Sequence, residues 1–395
     1  MKRLRGEHVA IGVGLVLAFA AAAVLLVGNN KEQPPPSALP PSAQTPQPQP
    51  TPSAQPPPAS PANPPPATQR HRAEVRGGRL VVDGRPFFPI MSWGECTDGF
   101  ETSLAVGTNL YAGNRCGGLE AQLPALGDRA LSAGVAGEDA PDSNAVIGVF
   151  YPDEPDGQGL TAKTMPTIDR RAGVRFLTLT NHFYSWAAPL PQGRGMYPGL
   201  VAKADMIGFD LYPLTYWCRP ERLVDVYFSQ QELVELARGR PTFQWIEAAG
   251  MICPHEGPNA VTPATVRAES WLAIAGGAKG LGFFPPAAWT GDVGEAITDV
   301  TSTVRQLGPA LTAPEVQVQV DPSDGLVKAG ARKQGDRLTI IVANAGYEPA
   351  SARITVPGLG GRPLTVVGAG RRVTPDGDTF DEHLPPLGAR VYITD

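Results

Sequence analysis

The stretch AVIGVFYPDEPDG, Ala145 to Gly157, is the one whose reading decides the fold. Val146, Ile147, Val149, Phe150 and Tyr151 make a short, nearly continuous apolar run, the pattern of a strand buried on both faces of a parallel sheet. The run breaks abruptly at Pro152, Asp153, Glu154, Pro155 and Asp156. In α/β sheets and β/α barrels the carboxyl ends of the strands carry the chemistry, so a carboxylate braced there by prolines is a candidate catalytic group. The plain alternative is a solvated turn whose acids cap the next helix.

Outward from this stretch, strand-like and helix-like segments alternate. Before it, Arg79 to Phe88 reads as a hairpin turning at Asp83-Gly84. Strands follow at Phe88 to Trp93 and Leu104 to Tyr111, then a helix at Leu119 to Leu126 and a weak strand at Ala130 to Ala136. After it come a helix at Thr161 to Ala172, strands at Phe176 to Thr180 and Met206 to Leu211, a helix at Leu223 to Ala237 and a strand at Thr242 to Ile246. A helix at Val266 to Ala278, a strand at Gly280 to Phe284 and a helix at Ile297 to Leu307 complete the series. Alternation over about 240 residues predicts a parallel (β/α)8 barrel of the TIM type. The rival doubly wound sheet lacks its glycine-rich phosphate turn, and there is no P-loop, G-x-S-x-G or H-E-x-x-H. From Glu315 the pattern changes to short β-type runs at Val316 to Val320, Leu338 to Ala343, Ala352 to Val356, Leu364 to Val367 and Val391 to Thr394. These predict a small antiparallel β-sandwich domain packed on the barrel.

The amino terminus has a different composition. Lys2, Arg3 and Arg5 precede an uncharged apolar run from Val9 to Val27, long enough for one transmembrane helix with its basic side in the cytoplasm. No clear A-x-A site follows, which favours an uncleaved anchor over secretion after signal cleavage. Much of the excess among 43 prolines lies between Gln33 and Thr68, a stretch that cannot pack a core. The expected order is residues 1–32 as cytoplasmic residues and signal anchor, 33–72 as disordered linker, 73–314 as catalytic barrel and 315–395 as β-domain. The barrel is then extracytoplasmic on a single-pass membrane protein. A net charge of −5 with no later basic run excludes nucleic acid as a natural partner. Four cysteines suit an oxidising exterior; three connectivities are open, and nearness in sequence favours Cys96 with Cys116 and Cys218 with Cys253. None forms a CxxC, and His255-Glu256 is a poor metal site, so neither metal nor cofactor is expected.

On a barrel, Glu154 closes the fourth strand and Glu247 the seventh, on one rim. Two facing carboxylates are what glycoside hydrolysis requires, one to donate a proton and one to attack or to activate water. Asp153 and Asp156 stand beside Glu154, where a neighbouring negative charge suits a general acid. Glu247 needs donors to stay charged, and Tyr212 is the candidate. Trp93, Trp186, Trp217, Trp245 and Trp289 fall at or just after strand ends, where flat apolar faces stack on sugar rings. His182 and Asp210 are candidates for orienting substrate or the carboxylates; each equally suits a structural hydrogen bond.

At these positions the sequence resembles the clan of retaining β/α-barrel glycoside hydrolases that carry a trailing β-domain. The likeness runs over RLVVDGRPFFPI, IGVFYPDEPDG, ADMIGFDLYPL, FQWIEAAG, GGAKGLGFF and LPPLGARVYITD. It implies Glu154 as acid/base and Glu247 as nucleophile. Asp153 replaces the asparagine that the clan usually carries before its acid/base. The resulting expectation is a membrane-anchored glycosidase acting on an oligo- or polysaccharide; the alternative is a catalytically inactive barrel that binds carbohydrate or serves as an envelope-structural protein.

Overall fold

Strands form where the chain is apolar on both faces, and they join in chain order. The computed structural model describes residues 70–138, 143–169, 173–180, 195–286, 289–322 and 325–395. Ile90–Trp93, Leu110–Ala112, Leu131–Val135, Val146–Phe150, Val174–Leu179, Met206–Phe209, Thr242–Glu247 and Leu281–Phe284, here strands one to eight, close into a single parallel barrel. Strand eight pairs with strand one, which completes the ring. The expected order therefore holds, including the weak third strand. The predicted anchor and almost all of the proline-rich stretch lie outside the described residues, as do His182 and Trp186. Among the described residues no helix is long and apolar enough to cross a membrane.

One expected helix, Thr161 to Ala172, does not form over its described residues, 161–169. Residues 161–169 form turns, with Thr164 N–H donating to Thr161 O at 3.0 Å. Pro166 lacks the amide hydrogen that a helix interior needs. Helices do form at Phe100–Ala105, Gly118–Leu126, Asp225–Ala237, Pro263–Ala275 and Gly291–Leu307. The hairpin turns at Asp83-Gly84, both residues having positive φ, and covers the end of the barrel where the strands begin. Lys279, just before strand eight, donates to Gly78 O at 3.0 Å, and His71 N–H donates to Asn144 O just before strand four at 3.1 Å.

Aromatic rings fill the barrel. Phe150 stacks on Phe176 at 4.8 Å, meets Phe243 edge-on at 6.2 Å and meets Trp93 edge-on at 5.2 Å. Glycines on the neighbouring strands leave the room. A Cβ on Gly208 of strand six would lie 2.0 Å from the Phe243 ring, and one on Gly282 of strand eight 2.0 Å from the Trp245 ring.

The β-domain is a sandwich. One sheet has the spatial order Glu315–Val316, Val327–Gln334, Arg337–Asn344, Ala389–Thr394, Leu364–Val366, Arg372–Val373; the other is Gln319–Asp321, Ala350–Thr355, Thr379–Leu384. The expected run from Val316 to Val320 is thus divided between the two sheets. Val327–Gln334 escapes sequence reading because Lys328 and Arg332, both buried, interrupt its apolar pattern. Arg332 donates to Ile274 O at 2.7 Å, near the end of helix Pro263–Ala275. Tyr227 donates to Ala329 O at 3.1 Å, and Gly330 lies so close that a Cβ there would sit 2.2 Å from Ala275 O.

Gly208→Ala or Gly282→Ala will push a ring off its rotamer and lower stability by about 1–3 kcal/mol. Thermal unfolding checks this, and an unchanged midpoint would show that the rings are loosely packed.

Candidate active site

Two disulfides hold the loops at the carboxyl ends of the strands. Cys96–Cys116 joins the loops after strands one and two, and Cys218–Cys253 those after strands six and seven, as nearness in sequence predicted. The second pair is reinforced by the backbone: Ile252 N–H and Cys253 N–H donate to Thr215 O at 2.9 and 2.8 Å.

After strand four the chain turns sharply between Pro152 and Pro155. Glu154 sits at φ +45°, a left-handed conformation unusual for a residue with a side chain. Asp156 holds this turn. Its buried carboxylate accepts from Thr180 N–H at 2.9 Å, Thr180 Oγ1 at 3.0 Å and Tyr197 Oη at 2.6 Å, tying the turn to the end of strand five and to helix Tyr197–Val201. Asp156 is therefore an anchor of the turn, leaving Asp153 and Glu154 toward the mouth.

Asp210, just beyond strand six, stands near them. Burial, followed by the Glu154 charge, holds the Asp210 carboxyl well above its ordinary value. Asp210 is buried, and its Oδ1 has no hydrogen-bond partner among the described residues. Asp153 is exposed, yet the atoms packed around it and the Glu154 charge push its carboxyl up to about 7, against the pull of Arg115. Arg115 lies across Gly94, where a Cβ would sit 2.8 Å from its Nε. Tyr216 is half exposed on the same rim. Burial raises its hydroxyl, and the Glu154 and Asp210 charges raise it further.

Glu247 stands apart from this cluster. It is fully buried, and both of its oxygens are engaged: Oε2 accepts from Leu214 N–H at 3.1 Å, and Oε1 from Thr215 N–H at 2.6 Å and Thr215 Oγ1 at 2.8 Å. These donors replace the expected Tyr212, whose ring stacks on Phe284 at 6.1 Å. Behind Glu247 lies Glu269 of helix Pro263–Ala275, also fully buried. Its Oε1 accepts Glu247 N–H at 3.2 Å, and its Oε2 has no partner among the described residues. Burial pushes Glu247 up to about 7 against those three donors, and burial plus the Glu247 charge pushes Glu269 well above its ordinary value. The expected arrangement, Glu154 and Glu247 both open to the mouth, is thus not the one formed. Tyr212 is the described group on which both charges act.

The tryptophans divide. Trp93 is half-buried under the mouth and meets Trp245 edge-on at 6.2 Å. Trp245 is buried, with its indole N–H donating to Thr178 Oγ1 at 3.1 Å, and Trp289 is buried against Phe283; neither offers a free face for stacking. The inward alternation of strand seven puts Trp245 in the barrel interior. Trp217 is half-buried and meets Tyr216 edge-on at 5.2 Å. Sequence reading missed Arg115, Tyr216 and Glu269. The first two each lie next to or near a cysteine that fastens a mouth loop; Glu269 sits in a helix buried nearly all round and leaves no signal in the pattern. Among the described residues no group of three His, Cys, Asp or Glu side chains is placed to hold a metal ion.

No protein-family model matches the chain, and no curated protein matches its sequence. Among solved structures it is similar to a β-L-arabinopyranosidase from Geobacillus stearothermophilus, at 11% identity over 78% of this chain and 96% of that one, with a TM-score of 0.52. The likeness is one of fold. A variant of the same enzyme in complex with arabinose matches at 10% identity over 78% and 97% of the two chains, with a TM-score of 0.50. The likeness lies in the backbone, so the roles of individual residues have to come from their geometry.

Because the folded chain holds protons on Glu247 and Glu269 that the unfolded chain releases, stability will fall as pH rises from about 4.5 to about 7. Glu269→Gln keeps the acceptor for Glu247 N–H and removes one of the two acids. Its thermal midpoint will fall less steeply with pH than that of wild type, and parallel curves would show that Glu269 ionises freely in the folded state.

Proposed function

We propose that the chain is a membrane-anchored, extracytoplasmic glycoside hydrolase in which Glu154 passes a proton to and from the glycosidic oxygen. The observation that carries this reading is the group formed by Asp153, Glu154, Asp210 and Tyr216 at the carboxyl ends of strands four and six. The fold that the chain shares with a solved arabinopyranosidase supports it. Two disulfides accord with an oxidising exterior, and the apolar run from Val9 to Val27 supplies the anchor.

In the retaining course Glu247 is the attacking carboxylate. Its packing sets a condition: Leu214 and Thr215 must release it before a sugar carbon reaches it. That burial is also the one observation favouring the second reading, a barrel that binds carbohydrate without cleaving it. Under the enzyme reading the exposed Tyr216, beside the acids and braced by Cys218–Cys253, supplies the stacking face that Trp245 and Trp289 do not.

Release of sugar from a panel of chromogenic aryl glycosides and oligosaccharides distinguishes the two readings. Glu154→Gln will lower kcat by about 10²–10⁴-fold, and an unchanged kcat would remove Glu154 from the reaction. Oligosaccharide binding by a wild type that cleaves nothing in the panel would favour the binding protein. On any substrate that is cleaved, Tyr216→Ala will raise KM by about threefold to tenfold; an unchanged KM would place the sugar elsewhere.

A further inference from the structure

We infer that the side of the mouth formed by the strand-six loop, the strand-seven loop and the β-domain is a platform for a polysaccharide chain, so that the β-domain carries part of the substrate. This rests on the glycosidase reading and adds to it the length of the substrate and the direction in which it leaves the acids. Among the described residues five large apolar side chains stay exposed: Tyr216, Phe228, Ile252, Leu326 and Tyr347. All five lie on this one side.

They are joined contact by contact. Tyr216 follows Thr215, whose carbonyl accepts Ile252 N–H at 2.9 Å, so the strand-six and strand-seven loops present Tyr216 and Ile252 together. Tyr347, in the turn between strands Arg337–Asn344 and Ala350–Thr355, donates to Pro258 O at 3.1 Å, which seats the β-domain on the strand-seven loop. Leu326 stands beside that turn: Ala345 N–H donates to Leu326 O at 2.9 Å, and a Cβ on Gly346 would lie 2.8 Å from Leu326 Cδ1. Phe228 is in the first turn of helix Asp225–Ala237, at the mouth end of the barrel, and Lys328 of the β-domain places Nζ 4.6 Å from its ring centre.

The rings are held in place. Buried Asn344 fixes the turn of Tyr347: its Oδ1 accepts Gly346 N–H at 2.9 Å, and its Nδ2 donates to Glu348 O at 2.8 Å and Pro385 O at 3.0 Å. Tyr216 meets Trp217 edge-on at 5.2 Å, and Lys328 occupies one face of Phe228. Each ring still leaves surface to water, 47% for Tyr216, 46% for Phe228 and 36% for Tyr347. A sugar lays its apolar C–H face on such a ring, while its hydroxyls bond to polar neighbours. Those neighbours are present, since His255, Glu256 and Glu348 are exposed on the same loop and turn. A protein partner calls for a continuous apolar patch, whereas here single side chains alternate with polar ones and the row opens on the acids of the mouth. A chain of sugars that enters the mouth and continues over the β-domain fits both features.

Turnover of oligosaccharides graded from disaccharide to hexasaccharide, in whichever linkage wild type cleaves, tests the platform. In wild type KM is expected to fall as sugars are added. In Tyr347→Ala and in Phe228→Ala, KM for the hexasaccharide will rise by about threefold to tenfold, and the gain with length will shrink. Tyr347→Phe, which keeps the ring and loses the bond to Pro258, will recover most of that gain. Phe228→Ala decides the question should Tyr347→Ala fail to fold. A KM independent of chain length, or a loss equal on disaccharide and hexasaccharide, overturns the platform even with Glu154 essential. Should wild type cleave nothing, affinity electrophoresis of Glu154→Gln through gels holding xylan, arabinogalactan or starch reads the same surface. Retardation that the two alanine variants lose in that background leaves the platform standing and the glycosidase reading fallen; no retardation in any of the three gels overturns the platform as well. A concentration-dependent sedimentation coefficient that the same variants abolish would make the surface a contact between copies of the chain and overturn the glycan.

Discussion

The Glu247 carboxylate is the interaction on which the mouth of the barrel depends. Three donors from the turn after strand six close on it: the N–H groups of Leu214 and Thr215 and the Thr215 hydroxyl. A turn that leaves a strand would otherwise bury those amides without acceptors, at a cost of about 1–3 kcal/mol for each one stranded. With them satisfied, the backbone from Asp210 to Trp217 has one course, and Cys218–Cys253 secures its far end. Asp210, Tyr212 and Tyr216 are carried on that course. The place of Asp210 near the strand-four acids, whose charges act on it, is thus a consequence of how strand seven holds the strand-six loop.

The opposite side of the mouth uses the same device. Asp156 accepts three hydrogen bonds from Thr180 and Tyr197, and so the turn that keeps Glu154 in a left-handed conformation is held from the next strand. Strain of this kind persists when the surroundings over-determine it, and it gathers at functional sites. Of the acids in PDEPD, one is therefore structural, and the other two stand toward the mouth.

Beneath the mouth, stability and site share their supports. The glycines of strands six and eight make room for Phe243 and Trp245, and those rings carry Trp93 above them. Helix Pro263–Ala275 has two duties: Glu269 reaches inward to the backbone of Glu247, while Ile274 O takes Arg332 of the β-domain. The β-domain thereby buries the helix that stands behind strand seven. Burial between that helix and strand seven raises both the Glu247 and the Glu269 carboxyls.

The sequence by itself determined the barrel and the β-domain and favoured the two disulfide pairings that the structure forms, because apolar runs, helical periods and the spacing of cysteines are local features. It also placed Asp153, Glu154 and Asp210 at strand ends. What only the tertiary structure decided is which acids meet. Alternation puts Trp245 inside the barrel, a loop closes over Glu247, and Asp210 is buried where the strand-four acids act on it; each outcome depends on residues distant in sequence. The helix expected at Thr161 to Ala172 fell to one proline, and Val327–Gln334 was hidden by a lysine and an arginine whose partners lie on the barrel helices. Burial of charge is a property of the packed chain, so the identity of the proton-holding groups had to wait for the packing.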